Sequence, residues 1–189
     1  MMNVGLYFGS FNPVHNAHIR IGEYMHSHYP MDEIWYVLSP QNPLKEEKDL
    51  LHASQRLQLL ETAIKDFSYM KVSTIEFDLP KPSYTYVTLR TLRQQYPNSV
   101  FSIIMGNDSM KDINQWKNYQ EISDGYMIYL YPRNDIELFI VSKHIIQTNA
   151  PKMNVSSSEI RAKIKAGESI KELVPSDVFK IIQSEQFYV

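Results

Sequence analysis

Cysteine is absent from this 189-residue chain. That excludes disulfides, thiolate metal sites and cysteine nucleophiles. No apolar run approaches the length that spans a bilayer, and no basic segment precedes the first β-prone run. Neither a membrane anchor nor a secretion signal is therefore read, and the cytoplasm is the default expectation. An excess of one charge is lacking too: 19 Lys and Arg stand against 21 Asp and Glu, a formal net charge of −2. Without a basic footprint, a nucleic-acid partner is not expected. There is no internal repeat, low-complexity tract or linker. A hydrophobic share of 43% with 21% charged residues is ordinary for a globular protein. The length suits one domain over residues 1–189 with a sizeable core.

What is present is an alternation of short apolar runs with stretches of helical spacing. Strands are predicted over 4–8, 33–38, 70–73, 99–105 and 126–131, with a short sixth at Ile145 and Ile146. Helices are predicted over 19–28 and from Ala53 through Leu57, Leu60, Ile64 and Phe67. Three more follow: from Tyr84 and Thr85 through Leu92, over 160–166, and from Pro175 to around Ser184. The Pro-containing stretches 41–51 and 76–83 are expected to be loops. Asp108 or Ser109 is expected to cap the helix after the fourth strand. Apolar strands alternating with helices argue an α/β fold whose parallel sheet is covered on both faces. Ligands in such sheets bind beyond the strand carboxyl ends, where strand order reverses. The first and fourth strands end in Gly9 and Gly106 and are expected to be neighbours flanking that crevice.

The organising stretch is VGLYFGSFNPVHNAH, residues 4–18. Gly9 and Ser10 let the backbone approach a ligand closely, and Pro13 stiffens the turn. The helix beginning near Ala17 aims its unpaired N–H groups at the strand end, which makes an anion site. His15 and His18, three apart on the first turn, project to one side, where both can reach one phosphate chain. Alone, such a pair reads more readily as helix-start histidines that cap or face solvent; within the whole run it reads as a phosphate cradle. A metal site would need a third ligand, and no spaced carboxylate supplies one. Near the other end, Val155-Ser156-Ser157-Ser158-Glu159-Ile160-Arg161 combines a capping sequence with hydroxyls and a guanidinium fork suited to phosphate oxygens.

The run from Gly9 to His18 resembles the G-x-F-x-P-x-H-x-G-H signature of the nucleotidyltransferase superfamily, and most of all bacterial nicotinate-nucleotide adenylyltransferases. Asn12 stands where Asp is frequent, and Ala17 where Gly is usual. The second constellation resembles I-S-S-T-x-I-R, and Lys81-Pro82-Ser83-Tyr84-Thr85 resembles R-P-S-Y-T. Gly106-Asn107-Asp108-Ser109 with Trp116-Lys117 is similar to the family's G-x-D-S…W-K segment, and 40–45 to its Lys-containing loop. One match fails: Arg-Pro-Gly after the fifth strand is here Tyr131-Pro132-Arg133, which leaves Arg133 without an assigned role.

The resemblance implies a Rossmann-like doubly wound parallel sheet with helices on both faces and a small C-terminal helical extension. It implies that ATP and nicotinate mononucleotide give nicotinate adenine dinucleotide and pyrophosphate, with Mg²⁺ travelling with ATP rather than held in a metal site of the chain. His15, His18 and Arg161 are then the catalytic residues. His18 meets the α-phosphate, His15 the polyphosphate, and Ser157, Ser158 and Arg161 the leaving phosphates. Gly9, Ser10, Phe11 and Gly106 complete the ATP site, with Asp108 on the ribose. Asn12, Lys45, Ser83, Tyr84, Thr85 and Trp116 are assigned to the mononucleotide, Trp116 by stacking and Tyr84 and Thr85 by backbone N–H groups at the carboxylate. The alternatives are another acceptor, nicotinamide mononucleotide or phosphopantetheine, and a non-catalytic nucleotide-binding module. A homo-oligomer is left open.

Overall fold

Within the second apolar run, Ile34, Tyr36 and Leu38 join one buried cluster while Trp35 and Val37 join another. Successive strand residues face opposite ways, so a strand that is apolar throughout must be covered on both sides. In the computed structural model, which describes residues 1–40, 50–133 and 142–189, that cover is complete. The strands are β1 (Met2–Gly9), β2 (Glu33–Leu38), β3 (Met70–Ser73), β4 (Ser99–Gly106), β5 (Met127–Tyr131) and β6 (Ile145–Gln147). They form one sheet in the order β3-β2-β1-β4-β5-β6, with every pair parallel. The arrangement is the doubly wound, Rossmann-like one.

One face is covered by α1 (Asn16–His28), α2 (Ala53–Ile64), α6 (Ser157–Lys165) and α7 (Ser176–Ser184). They contribute Ile21 and Met25, Leu59 and Leu60, Ile160, and Val178 and Ile182 to the first cluster. The other face is covered by α3 (Thr85–Gln95), α4 (Asn107–Met110) and α5 (Tyr119–Gly125), through Leu89, Leu92, Met110 and Ile122. The C-terminal extension is α7, tied to α2 by an ion pair between Lys65 and Asp177. After α6, Gly167 takes φ +72. Its N–H bonds the Ile164 carbonyl and that of Glu168 bonds Lys163, a Schellman ending that suits glycine. No helix of the described residues is long and apolar enough to cross a membrane.

Three local expectations are corrected. Helix α2 stops at Ile64, and Phe67 reaches the core from the turn beyond it; its helical spacing reflected burial, not helix. The stretch 76–83 is not all loop, because a 3₁₀ turn spans Ile75–Asp78 and buries Glu76. Neither Asp108 nor Ser109 caps α4: β4 runs directly into it with Gly106 as the cap, which puts Asp108 in the first turn.

Candidate functional site

β1 and β4 are neighbours, with Leu6 opposite Ile103 and Tyr7 opposite Ile104, and the helices after them cover opposite faces. The segments beyond Gly9 and Gly106 therefore diverge. A cleft of about 850 Å³ opens between them, at the place where the strand order reverses.

From β1 the chain folds back on itself. Phe11 has φ +43, and a Cβ on Gly9 would come within 2.9 Å of its ring, so Gly9 gives the room that this tight return needs. Gly9, Ser10, Phe11 and Asn12 all line the cleft. The Asn12–Pro13 bond is cis. Asn12 Oδ1 accepts the Leu51 N–H at 3.1 Å, so the acceptor kept at this position holds a neighbouring segment.

His15 caps α1 with extended backbone. Its N–H donates to His18 Nδ1 at 3.2 Å, and the two rings stack with centroids 3.7 Å apart. An accepting Nδ1 puts the ring N–H of His18 on Nε2, its one donor. His18 lines the cleft. His15 lies one layer behind, 3% exposed, with both ring nitrogens unpartnered. Burial, helped by the charge of Arg133, pushes its pKa down to about 3, so the ring is neutral near pH 7. The sequence pattern foresaw the pair but not that one ring backs the other.

The second signature reaches the same cleft through α6. Ser156 caps that helix, its Oγ accepting the Glu159 N–H at 3.1 Å. Ser157 Oγ donates to the Pro13 carbonyl at 2.9 Å, and Arg161 Nη1 donates to the Asn12 carbonyl at 2.8 Å. Ser157, Ser158 and Arg161 line the cleft, and Arg161 Nε is buried without a partner.

On the opposite wall, Asp108 Oδ2 accepts from Arg133 Nη1 at 3.2 Å while Asp108 Oδ1 is buried and unpartnered. A Cβ on Gly106 would meet that oxygen at 2.5 Å, so glycine lets the carboxylate fold over the strand end. Ser83, Tyr84, Thr85 and Trp116 form the remaining wall, at the start of α3 and just after a 3₁₀ turn over Ile113–Gln115. Trp116 is half-buried and packs partly on the second cluster. Lys45 lies outside the described residues. Buried polar atoms are normally paired. Unpaired atoms at Asp108 and Arg161 mark walls that suit a polar ligand. Among the described residues, no group of three or more His, Asp or Glu could hold a metal ion.

Two residues were missed by the sequence reading. Arg56 is fully buried and donates to the carbonyls of Ser10, Ser39, Pro40 and Leu51 at 2.7–2.8 Å, tying together the chain beyond β1 and β2. Burial lowers its pKa to about 10, so it stays charged near pH 7. The signal was available: Arg56 stands four before Leu60, on the apolar stripe of α2. Glu76 lines the cleft and accepts from Thr88 Oγ1 at 2.9 Å. Burial raises its pKa, opposed by the Thr88, Ser39 and Ser83 hydroxyls. Its place in a Pro-rich stretch gave no sign of this.

Known proteins resemble this chain in sequence and in fold. A cytidylyltransferase-like family model matches residues 6–163. A probable nicotinate-nucleotide adenylyltransferase of Flavobacterium johnsoniae is 43% identical over 193 residues, covering 99% of both chains. That of Cytophaga hutchinsonii is 40% identical over 189 residues, covering 99% of this chain and 98% of the relative. Among solved structures, a Plasmodium falciparum nicotinic acid mononucleotide adenylyltransferase complexed with NaAD superposes with a TM-score of 0.82 at 20% identity. The match covers 100% of this chain and 98% of that one. At that identity the likeness is one of fold.

Proposed function

The chain belongs to the nicotinate-nucleotide adenylyltransferase family, enzymes of adenylyl transfer in NAD biosynthesis, and we propose that its own reaction joins ATP to nicotinate mononucleotide. The products are nicotinate adenine dinucleotide and pyrophosphate. One observation carries the reading: two signatures 149 residues apart, at Asn12 and Arg161, are hydrogen-bonded to each other on the wall of one cleft.

A 5′-phosphate oxygen of the mononucleotide attacks the α-phosphorus of ATP, and the bond to pyrophosphate breaks. The nucleophile is already an anion, so no general base is required. The chain's task is to align two polyanions and to stabilise charge as it moves onto the leaving group. His18, its Nδ1 accepting the His15 N–H and its Nε2–H left as donor, serves the α-phosphate. His15, expected from the sequence at the polyphosphate, stands behind His18 and holds that ring by stacking and by its N–H. Ser157, Ser158 and the free part of the Arg161 fork receive the β- and γ-phosphates. Asp108 Oδ1 takes a ribose hydroxyl, and Trp116 with the start of α3 takes the pyridine ring. ATP enters as its magnesium complex, the metal being part of the substrate.

The test is product analysis after mixing the protein with MgATP and, separately, nicotinate mononucleotide, nicotinamide mononucleotide and phosphopantetheine. Rapid dinucleotide formation with the nicotinate acceptor is expected. Preferred turnover of another acceptor would move the substrate. Silence with all three, in folded protein that binds ATP, would replace the enzyme by a binding module.

A further inference from the structure

Three described cations line the cleft, and two are engaged away from the aromatic wall. Arg133 is paired with Asp108, and Arg161 holds the Asn12 carbonyl. The third, Lys117, follows Trp116 directly and places its Nζ 4.7 Å from the centroid of the Tyr84 ring. Lys117, Trp116, Tyr84 and Thr85 share the same wall. Lys117 is exposed and has no carboxylate partner among the described residues. An ammonium resting on the face of a tyrosine is held by the ring's quadrupole, and its remaining donors stay available. The Glu76 carboxyl lines the same cleft as Ser83 and Tyr84; its burial raises its pKa and so favours the neutral form. An anionic ring substituent bound at this end needs positive charge beside it. The first N–H groups of α3 give a partial positive charge, and Lys117 gives a full one.

We propose that Lys117, seated on Tyr84 beside Trp116, is the specificity residue that makes this cleft favour an acceptor ring with a carboxylate over one with a neutral carboxamide. The inference rests on the reading that the Trp116 wall takes the pyridine ring. It goes beyond that reading by assigning acid selectivity to a side-chain cation. The Lys117 ammonium forms a charge-assisted contact with a carboxylate, whereas a carboxamide offers it only a neutral oxygen. Because the ammonium is exposed, its effect is modest, about three- to tenfold in affinity. It is felt by the acid and not by the amide.

The test is equilibrium binding, which needs no turnover: calorimetric titration of nicotinate mononucleotide and of nicotinamide mononucleotide into the whole protein. Wild type is expected to prefer the acid. In Lys117→Gln the acid weakens about three- to tenfold with the amide unchanged, and in Lys117→Arg the acid preference returns. Lys117→Glu is expected to lower acid affinity further. An unchanged acid-to-amide ratio in Lys117→Gln would overturn the proposal, as would equal weakening of both ligands or wild type that binds neither. If the ratio shifts as expected but no dinucleotide forms with MgATP, the selectivity stands and the proposed reaction falls.

Discussion

Arg161 Nη1 donates to the carbonyl of Asn12 at 2.8 Å. This bond locks the start of α6 onto the turn after β1, so that a guanidinium from one end of the chain faces the cleft made by the other. The planar fork matters here, because one N–H must hold a carbonyl while others meet phosphate. Arg161→Lys is expected to lower kcat/KM about 10²-fold or more, since an ammonium lacks the rigid fork that aims separate N–H groups at the carbonyl and at phosphate. Steady-state kinetics beside a thermal melt checks this; a variant as active as wild type would remove Arg161 from the leaving-group site.

His18 is expected to act in the transition state more than in folding. It is only partly buried, so His18→Ala should fold. It should lose about 10²–10³ in turnover, the usual effect of removing one oriented donor. Unaltered turnover would defeat its assignment to the α-phosphate.

His15 makes stability depend on pH in a definite direction. Burial lowers its pKa from the ordinary 6.5 to about 3. Between those values the unfolded chain binds a proton that the folded chain refuses, so stability falls as the pH drops from 6.5 towards 3 and is unaffected by this group above 6.5. The slope from this one residue approaches about 1.4 kcal/mol per pH unit. Urea unfolding of wild type and His15→Gln at a series of pH values from 4 to 7 reads it directly. The variant is expected to show the shallower dependence.

Arg56 concerns the frame of the cleft. Arg56→Met would leave the carbonyls of Ser10, Ser39, Pro40 and Leu51 without their donor. With each net bond worth about 1 kcal/mol, a loss of about 3–4 kcal/mol is expected. Denaturant titration measures this. A loss below about 1 kcal/mol would mean that those carbonyls find other partners.

Features legible in the sequence are those settled by near neighbours. The run of β2 was read to its boundaries, since burial on both faces keeps Ile34 to Leu38 apolar; β3 was read to its boundaries too, although Lys71 within it is exposed. The capping serines before α6 and Gly167 after it announced that helix, because caps act within a few residues. The small residues ending β1 and β4 pointed to the crevice. Phe67 misled because helical spacing and burial give the same pattern. Glu76 escaped because the hydroxyl that satisfies it belongs to Thr88, on the next helix.

By itself, the sequence determined the alternation of strands and helices, the pairing of β1 with β4, and the residue types gathered at their ends. The alternation follows from local spacing and the need to bury apolar faces, and the pairing from the glycine strand ends read with the rule that ligands bind where strand order reverses. Only the tertiary structure decided which of those residues face the cleft and which stand behind it. It placed His18 at the wall with His15 beneath it, and spent Asn12 Oδ1 on Leu51. It closed Arg133 onto Asp108, and made Arg56 the tie between the segments beyond β1 and β2. Each of these depends on groups brought together from distant parts of the chain, where hydrogen bonding and burial act through space and leave no mark in local order.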